Sequence, residues 1–266
     1  MGSIARTLGR LVALAVLSTL ALQLYFLGRV ALMTVVDPQS TTFQRSEAWR
    51  LLTEQRAAGG WSQQWVPYDR ISANLKRAVI ASEDAGFAEH SGVEWDALEK
   101  AWERNQKAEA RVEKINEQIE RRLQKPPGAA PRATTARATP RPQPKVVGGS
   151  TITQQLAKNL FLGGERSLLR KGQEFVVTYM LEGLLGKQRI LEIYLNNVEW
   201  GEGVFGAEAA ARHYFHVGAD RLAPGPAARL AVMLPAPKRF EKRPGSAYVV
   251  GRASTVAARM GSVELP

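Results

Sequence analysis

A chain of 266 residues, 45% of them apolar, is long enough to bury one good-sized core or two small ones and is too apolar to be disordered throughout. It has no cysteine, which excludes disulfides, thiolate nucleophiles and cysteine-ligated zinc. The formal charge of +11 points to an anionic partner, whether nucleic acid, phospholipid surface or phosphorylated substrate.

The first element is apolar. Residues 11–28, LVALAVLSTLALQLYFLG, carry no charge, and beyond Arg29 the run continues to Val36 before Asp37-Pro38. Such a span can cross a hydrocarbon core about 30 Å thick, with Arg29 snorkelling to an interface. Arg6 and Arg10 precede it and no acid does, so the positive-inside rule puts residues 1–10 in the cytoplasm, 11–36 in the membrane and the rest outside. A cleaved secretory signal is the competing reading, but no small-x-small site follows the apolar run. Either reading exports the body of the chain.

Residues 37–70 read as a membrane-proximal connector with a short helix from Ser46 to Ala57. Trp49, Trp61 and Trp65 crowd it, suited either to a bilayer interface or to core packing. From Ile71 the pattern is helical, with Leu75, Val79 and Ile80 leading into Glu83. Asp96 reads as the N-cap of a long helix, with Glu99 at the capping-box position and Leu98, Trp102, Val112, Ile115, Ile119 and Leu123 on one face. Residues 126–145 are Pro, Ala, Arg and Thr with almost nothing large and apolar, and residues 121–145 hold seven Lys or Arg and no acid. That composition predicts a loop without a packed core, inserted at about 108–145. Helices follow at 151–162, 167–186, 187–198, 207–215, 224–234 and 246–260, punctuated by glycine and proline. No segment alternates as a strand does, so the fold class is mainly α.

Three clusters carry candidate chemistry. Glu83 and Asp84 end an apolar helical run, and Phe87 and His90 follow at helical spacing. A carboxyl against apolar surface has its ionised form disfavoured, which makes it a stronger base near neutral pH. Taken alone, such a pair is usually solvated, and a lone histidine is usually structural. Thr151 is a natural N-cap after two glycines. On the helix it opens, Thr151, Gln155, Lys158 and Asn159 share a side, with Ile152, Leu156 and Leu160 turned elsewhere. A hydroxyl, amides and an ammonium along one face suit a sugar-phosphate ligand, and the helix N-terminus adds amide donors. In the third cluster, Arg166, Arg170 and Lys171 precede Glu174, with the last three close enough for an intrahelical ion pair.

Other readings fail. Gly201-x-Gly203-x-x-Gly206 matches a dinucleotide fingerprint but follows a helical segment and lacks the acid at the required distance. His213 and His216 have no acidic third ligand. There is no P-loop, and no Ser-x-x-Lys or Lys-Thr-Gly for a transpeptidase.

Five strings, LKRAVIASEDAGFAEHSGVEW, GGSTITQQLAKNLFL, RSLLRKGQE, KQRILEIYLNNVEWG and GVFGAEAAARHYF, stand in an order that resembles the peptidoglycan glycosyltransferases, glycosyltransferase family 51. The resemblance covers about residues 65–262 apart from the insert. One apolar span and no transpeptidase half make it similar to the monofunctional biosynthetic transglycosylases. It implies a lysozyme-like helical lobe at 71–266, a smaller membrane-associated jaw at 37–70 and an N-terminal transmembrane helix.

The resemblance further implies that lipid II is polymerised into β-1,4-linked glycan with inversion, undecaprenyl pyrophosphate leaving. Glu83 matches the general base and Glu174 the second essential carboxylate. Lys158, Arg166, Arg170 and Lys171 match cations around the pyrophosphate. Asp84, Phe87, His90, Thr151, Gln155 and Asn159 match positions that shape the cleft. No tightly bound cofactor or protein-held metal is expected, although a divalent cation (Mg or Mn) could assist the leaving group. The expected partners are lipid II, the growing glycan, membrane lipids and other cell-wall synthesis or division proteins, with no nucleic acid. The implied location is the bacterial cytoplasmic membrane, with the catalytic part on its outer side. The long basic insert departs from the family's shorter link. A lysozyme-like hydrolase is the first alternative, disfavoured because a glycan leaving group needs a proton rather than cations. A non-enzymatic membrane scaffold is the second, disfavoured by the complete motifs.

Overall fold

The computed structural model describes residues 2–54, 60–123, 149–163 and 167–266. Two compact units emerge: residues 1–93 with 151–266, and residues 94–150.

The first unit opens with helix α1 (Gly2–Leu32), long and apolar enough to cross a membrane. Most of its length is exposed, as a lipid-facing helix requires, but its last turns are not free. Phe26, Val30 and Met33 are buried, and the Phe26 ring packs on Phe161 at 5.2 Å. Gln23 and Gln173 exchange hydrogen bonds of 2.7 and 3.0 Å, and Arg189 donates to the Met33 carbonyl at 2.9 Å.

Helix α2 (Thr42–Thr53) starts four residues before the expected Ser46. The reason is a capping box: Thr41 Oγ1 accepts from the Gln44 amide, and Gln44 Oε1 accepts from the Thr41 amide. The end expected at Ala57 lies outside the described residues. The three tryptophans of this region divide their roles. Trp49 is 70% exposed, Trp61 stacks on Phe205 at 4.5 Å, and Trp65 is half-buried beneath the Arg189 guanidinium.

Helix α3 (Ala73–Glu83) buries Leu75, Ala78, Val79 and Ile80. It packs against α9 (Pro224–Met233), which in turn packs against α11 (Ala247–Arg259). Ala227, Ala228 and Ala231 keep α9 slim at these contacts. Helices α5 (Ile152–Phe161), α6 (Leu168–Leu184), α7 (Lys187–Asn197) and α8 (Ala207–Phe215) agree with expectation to within two residues. The short α10 (Pro237–Phe240) lies between α9 and α11.

A small sheet was not foreseen. Strands β1 (Ser62–Gln63), β2 (Glu199–Gly201) and β3 (Val204–Phe205) are ordered β1-β3-β2, with β1 parallel and β2 antiparallel to β3. Strands of two or three residues are too short to show an alternation. The glycines rejected as a dinucleotide fingerprint form this corner instead. Gly206 has φ +83°, and a Cβ there would stand 2.7 Å from the Asn196 carbonyl.

The second unit contains α4 (Trp95–Leu123). Asp96 lies inside its first turn, where its charge suits the helix dipole, rather than at the expected cap. The helix continues through residues 108–123 of the expected insert. Its expected apolar face is not a buried one, since Trp102 is 66% exposed. The rest of the insert, 124–145, lies outside the described residues.

Candidate active site

The site begins where α3 runs out. Asp84 caps the C-terminus of the helix and is almost wholly buried. Its Oδ1 is 2.7 Å from His90 Nε2, and its Oδ2 accepts from the Ile152 amide at 2.9 Å. His90 Nδ1 accepts from the Gly92 amide at 3.1 Å, so the proton sits on Nε2 and is donated to Asp84. Gly92 has φ +86°, and a Cβ there would stand 2.7 Å from Thr178 and Glu182. Thr151 closes this frame. Its hydroxyl donates to the Gly92 carbonyl at 2.6 Å and accepts from the Gln154 amide. Phe87 is fully buried beneath the Lys187 ammonium. Asp84, Phe87, His90 and Thr151 thus lock the loop after α3 to the first turn of α5.

That frame presents Glu83. Its Oε2 accepts from Gln155 Nε2 at 3.0 Å, and Gln155 Oε1 accepts from the Tyr194 hydroxyl at 3.0 Å. The ionised Glu83 carboxylate can only accept, which fixes the end of the amide it meets and leaves Oε1 of Gln155 to accept from Tyr194. Among the described residues no donor meets Glu83 Oε1. Burial raises the Glu83 pKa above the ordinary carboxylate range. The Gln155 bond opposes the rise and the Asp84 charge adds to it. Burial also holds Tyr194 in its neutral, donating form, with its pKa well above that of a free phenol.

Gln155, the residue that holds Glu83, also lines a cleft of about 380 Å³. Gln155, Lys158 and Asn159 of α5 line it, together with Arg170 of α6. Ile152, Leu156 and Leu160 lie behind them in the core. Each such buried side chain stabilises the helix by roughly 1.5–3 kcal/mol, which fixes the polar face in place. The Lys158 chain is exposed, yet protein crowding around its ammonium lowers its pKa. Glu174 opposes that shift, and Arg170 and Lys171 reinforce it. Glu174 is 4% exposed and held on both oxygens, by Arg170 Nη1 at 3.0 Å and Lys171 Nζ at 2.5 Å. The ion pair expected on α6 therefore forms and also borders the cleft. Arg166 lies outside the described residues.

Sequence spacing missed two features. Tyr194 supports Gln155 from a helix 39 residues away. The cleft is also lined by Phe43, Ser46, Val198, Glu199, Leu234 and Pro237. These come from separate segments with no shared period. The only available signal was that Tyr194 and Glu199 stand in one of the five strings.

A family model described as transglycosylase matches residues 51–123 and 120–261. The chain belongs to the transglycosylase family. It is 51% identical to a biosynthetic peptidoglycan transglycosylase of Burkholderia thailandensis over 247 residues, 93% of this chain and 83% of that protein. It is 48% identical to a protein of the same name from Paraburkholderia phytofirmans over 259 residues, 97% of this chain and 92% of that one. The transglycosylase match runs through α3, the α5 and α6 walls of the cleft, and α11, so every described cleft residue except Phe43 and Ser46 falls within it.

Proposed function

We propose that this transglycosylase polymerises lipid II into β-1,4-linked glycan strands, inverting at the donor carbon, with undecaprenyl pyrophosphate as leaving group. The observation that carries the reading is a desolvated carboxylate, Glu83, hydrogen-bonded to Gln155, which lines a cleft together with the cations Lys158 and Arg170.

Glu83 takes the proton from the acceptor 4-hydroxyl as that oxygen forms its bond to donor C1. The free Oε1 receives the proton, while Gln155 holds Oε2. The raised pKa makes Glu83 a stronger base than a solvated carboxylate. As the C1–O bond breaks, its electron pair passes to the pyrophosphate. Lys158 and Arg170 then meet the growing negative charge with no reorganisation of their own. Glu174 acts through Arg170 and Lys171, fixing the direction of both cations. Arg166 is assigned to the same group by its sequence position. Both Glu174 oxygens are engaged, so a divalent cation would ride on the pyrophosphate itself. A hydrolase would use a carboxyl of raised pKa such as Glu83 as the acid on a sugar leaving group, and it would have no use for the cations Lys158 and Arg170, which suit a pyrophosphate.

In this reading α1 anchors the chain in the bacterial cytoplasmic membrane, with residues 1–10 inside. Its contacts with α6 hold the cleft close to the lipid from which substrate arrives. The test is purified full-length protein with labelled lipid II in detergent, followed by gel separation. A ladder of glycan polymers is expected, and Glu83→Gln should cut its yield at least ~100-fold. Undiminished polymer from Glu83→Gln would remove Glu83 from the role of base. Cleavage of finished glycan without polymer formation would replace the synthase by the hydrolase.

A further inference from the structure

The cleft has a second polar wall that takes no part in the mechanism above. Glu199 of β2 lines it and is only 6% exposed. Its Oε1 is buried and accepts no hydrogen bond. The Lys238 ammonium is 3.4 Å away, near enough for an ion pair but without hydrogen-bond geometry. Lys238 is in closer contact with Glu47, which also binds Arg50 at 2.9 Å. One ammonium therefore serves two carboxylates, and Glu199 has the weaker share. Burial pushes its pKa up to about 7, with Lys238 opposing and the Glu47 and Glu241 charges adding to the rise.

A buried carboxyl oxygen without a donor costs roughly 1–3 kcal/mol, and a side-chain rotation that turns Oε1 into the cleft lets a ligand donor remove that cost. The chemistry of the cleft selects the donor. Lys158 and Arg170, also in the lining, claim the anionic pyrophosphate, and a phosphate placed against Glu199 would be repelled. The donors left on a lipid-linked glycan are sugar hydroxyls and acetamido N–H groups. Leu234, Pro237 and Val198 flank Glu199 with apolar surface suited to the face of a pyranose ring.

We propose that Glu199 is a substrate-contacting residue that accepts a hydrogen bond from a hydroxyl or acetamido N–H of the sugar in the cleft, with Lys238 positioning its side chain. The assignment rests on lipid II being the ligand of this cleft, and it concerns uniform binding rather than the chemical step.

The test compares Glu199→Met with Glu199→Gln in full-length protein. Both keep the side chain's length, and only Gln can hydrogen-bond. With lipid II, Glu199→Met is expected to raise KM about 10-fold with kcat within about twofold, and Glu199→Gln to stay near wild type. The same pair in a Glu83→Gln background, titrated with lipid II, should show about a 10-fold weaker Kd for Met alone. If Glu199→Met fails to fold, Glu199→Ala is read in its place. Unchanged KM and Kd overturn the proposal, as does an equal fall of kcat in both variants with KM intact. Wild type that binds lipid II without polymerising it refutes the catalytic reading, and the titration still decides Glu199. Wild type that does not bind lipid II refutes both.

Discussion

The two walls of the cleft are built differently. The α5–α6 wall takes its charges from neighbours in sequence: Arg170, Lys171 and Glu174 lie within one helical turn and close on each other. The wall at Glu199 is backed by Glu47 and Lys238 from distant segments and leaves a carboxyl oxygen unpaired. On the first wall Glu174 holds and aims Arg170 and Lys171 before substrate arrives. On the second, one cation is divided between two acids, and the ligand completes the pairing. A preorganised wall of the first kind serves transition-state charge, while one of the second kind serves ground-state recognition.

Substitutions can break this contrast. The largest effect is expected from removing the paired cations. Arg170→Ala with Lys171→Ala should lower kcat by about 100-fold, since charge on the leaving group is then unmet and Glu174 is left buried without partners. Polymerisation rates by gel check this, and a change confined to KM would move these residues to the binding side. Lys158→Ala should weaken donor use by about 10-fold, measured as the KM for lipid II. An unchanged KM would make Lys158 structural. Because crowding lowers its pKa, Lys158 should also lose its charge at a pH below that of a free lysine. The alkaline limb of activity should then move upward in Lys158→Arg.

A smaller effect concerns stability. Glu199 ionises at about 7 when folded and near 4.5 when not, so between those values the unfolded state holds fewer protons. Stability therefore falls as pH rises through that window, by at most about 3 kcal/mol. Glu199→Gln should lack that slope in thermal melts at pH 4.5 and pH 8. The same slope in both proteins would mean that Glu199 is solvated.

The contrast also explains what could be read from the sequence. Glu83, Gln155, Lys158 and the Arg170–Lys171–Glu174 group stand on helices whose apolar spacing fixes which way each side chain points. Their common site follows once the helices are drawn. Thr151 was legible as a cap because a capping box is a local pattern, whereas Asp96 misled because Trp95 already begins the helix. Short β2 and β3 have no period to detect. Tyr194 and Glu199 meet the site only through tertiary packing, and Trp102 reads as a core residue because spacing alone cannot reveal whether a partner surface exists.

Proton abstraction by a desolvated Glu83 is tested most directly by kcat/KM for lipid II against pH. The base works only when ionised, and burial raises its pKa, so the rate should fall with acid along a limb centred above the usual glutamate value of about 4.3. Tyr194→Phe removes the hydroxyl that orients Gln155, weakens the one bond opposing the shift, and should move the limb further upward. A rate that stays flat down to pH 4.5, or an acid limb untouched in Glu83→Gln, would contradict the assignment of Glu83 as the base.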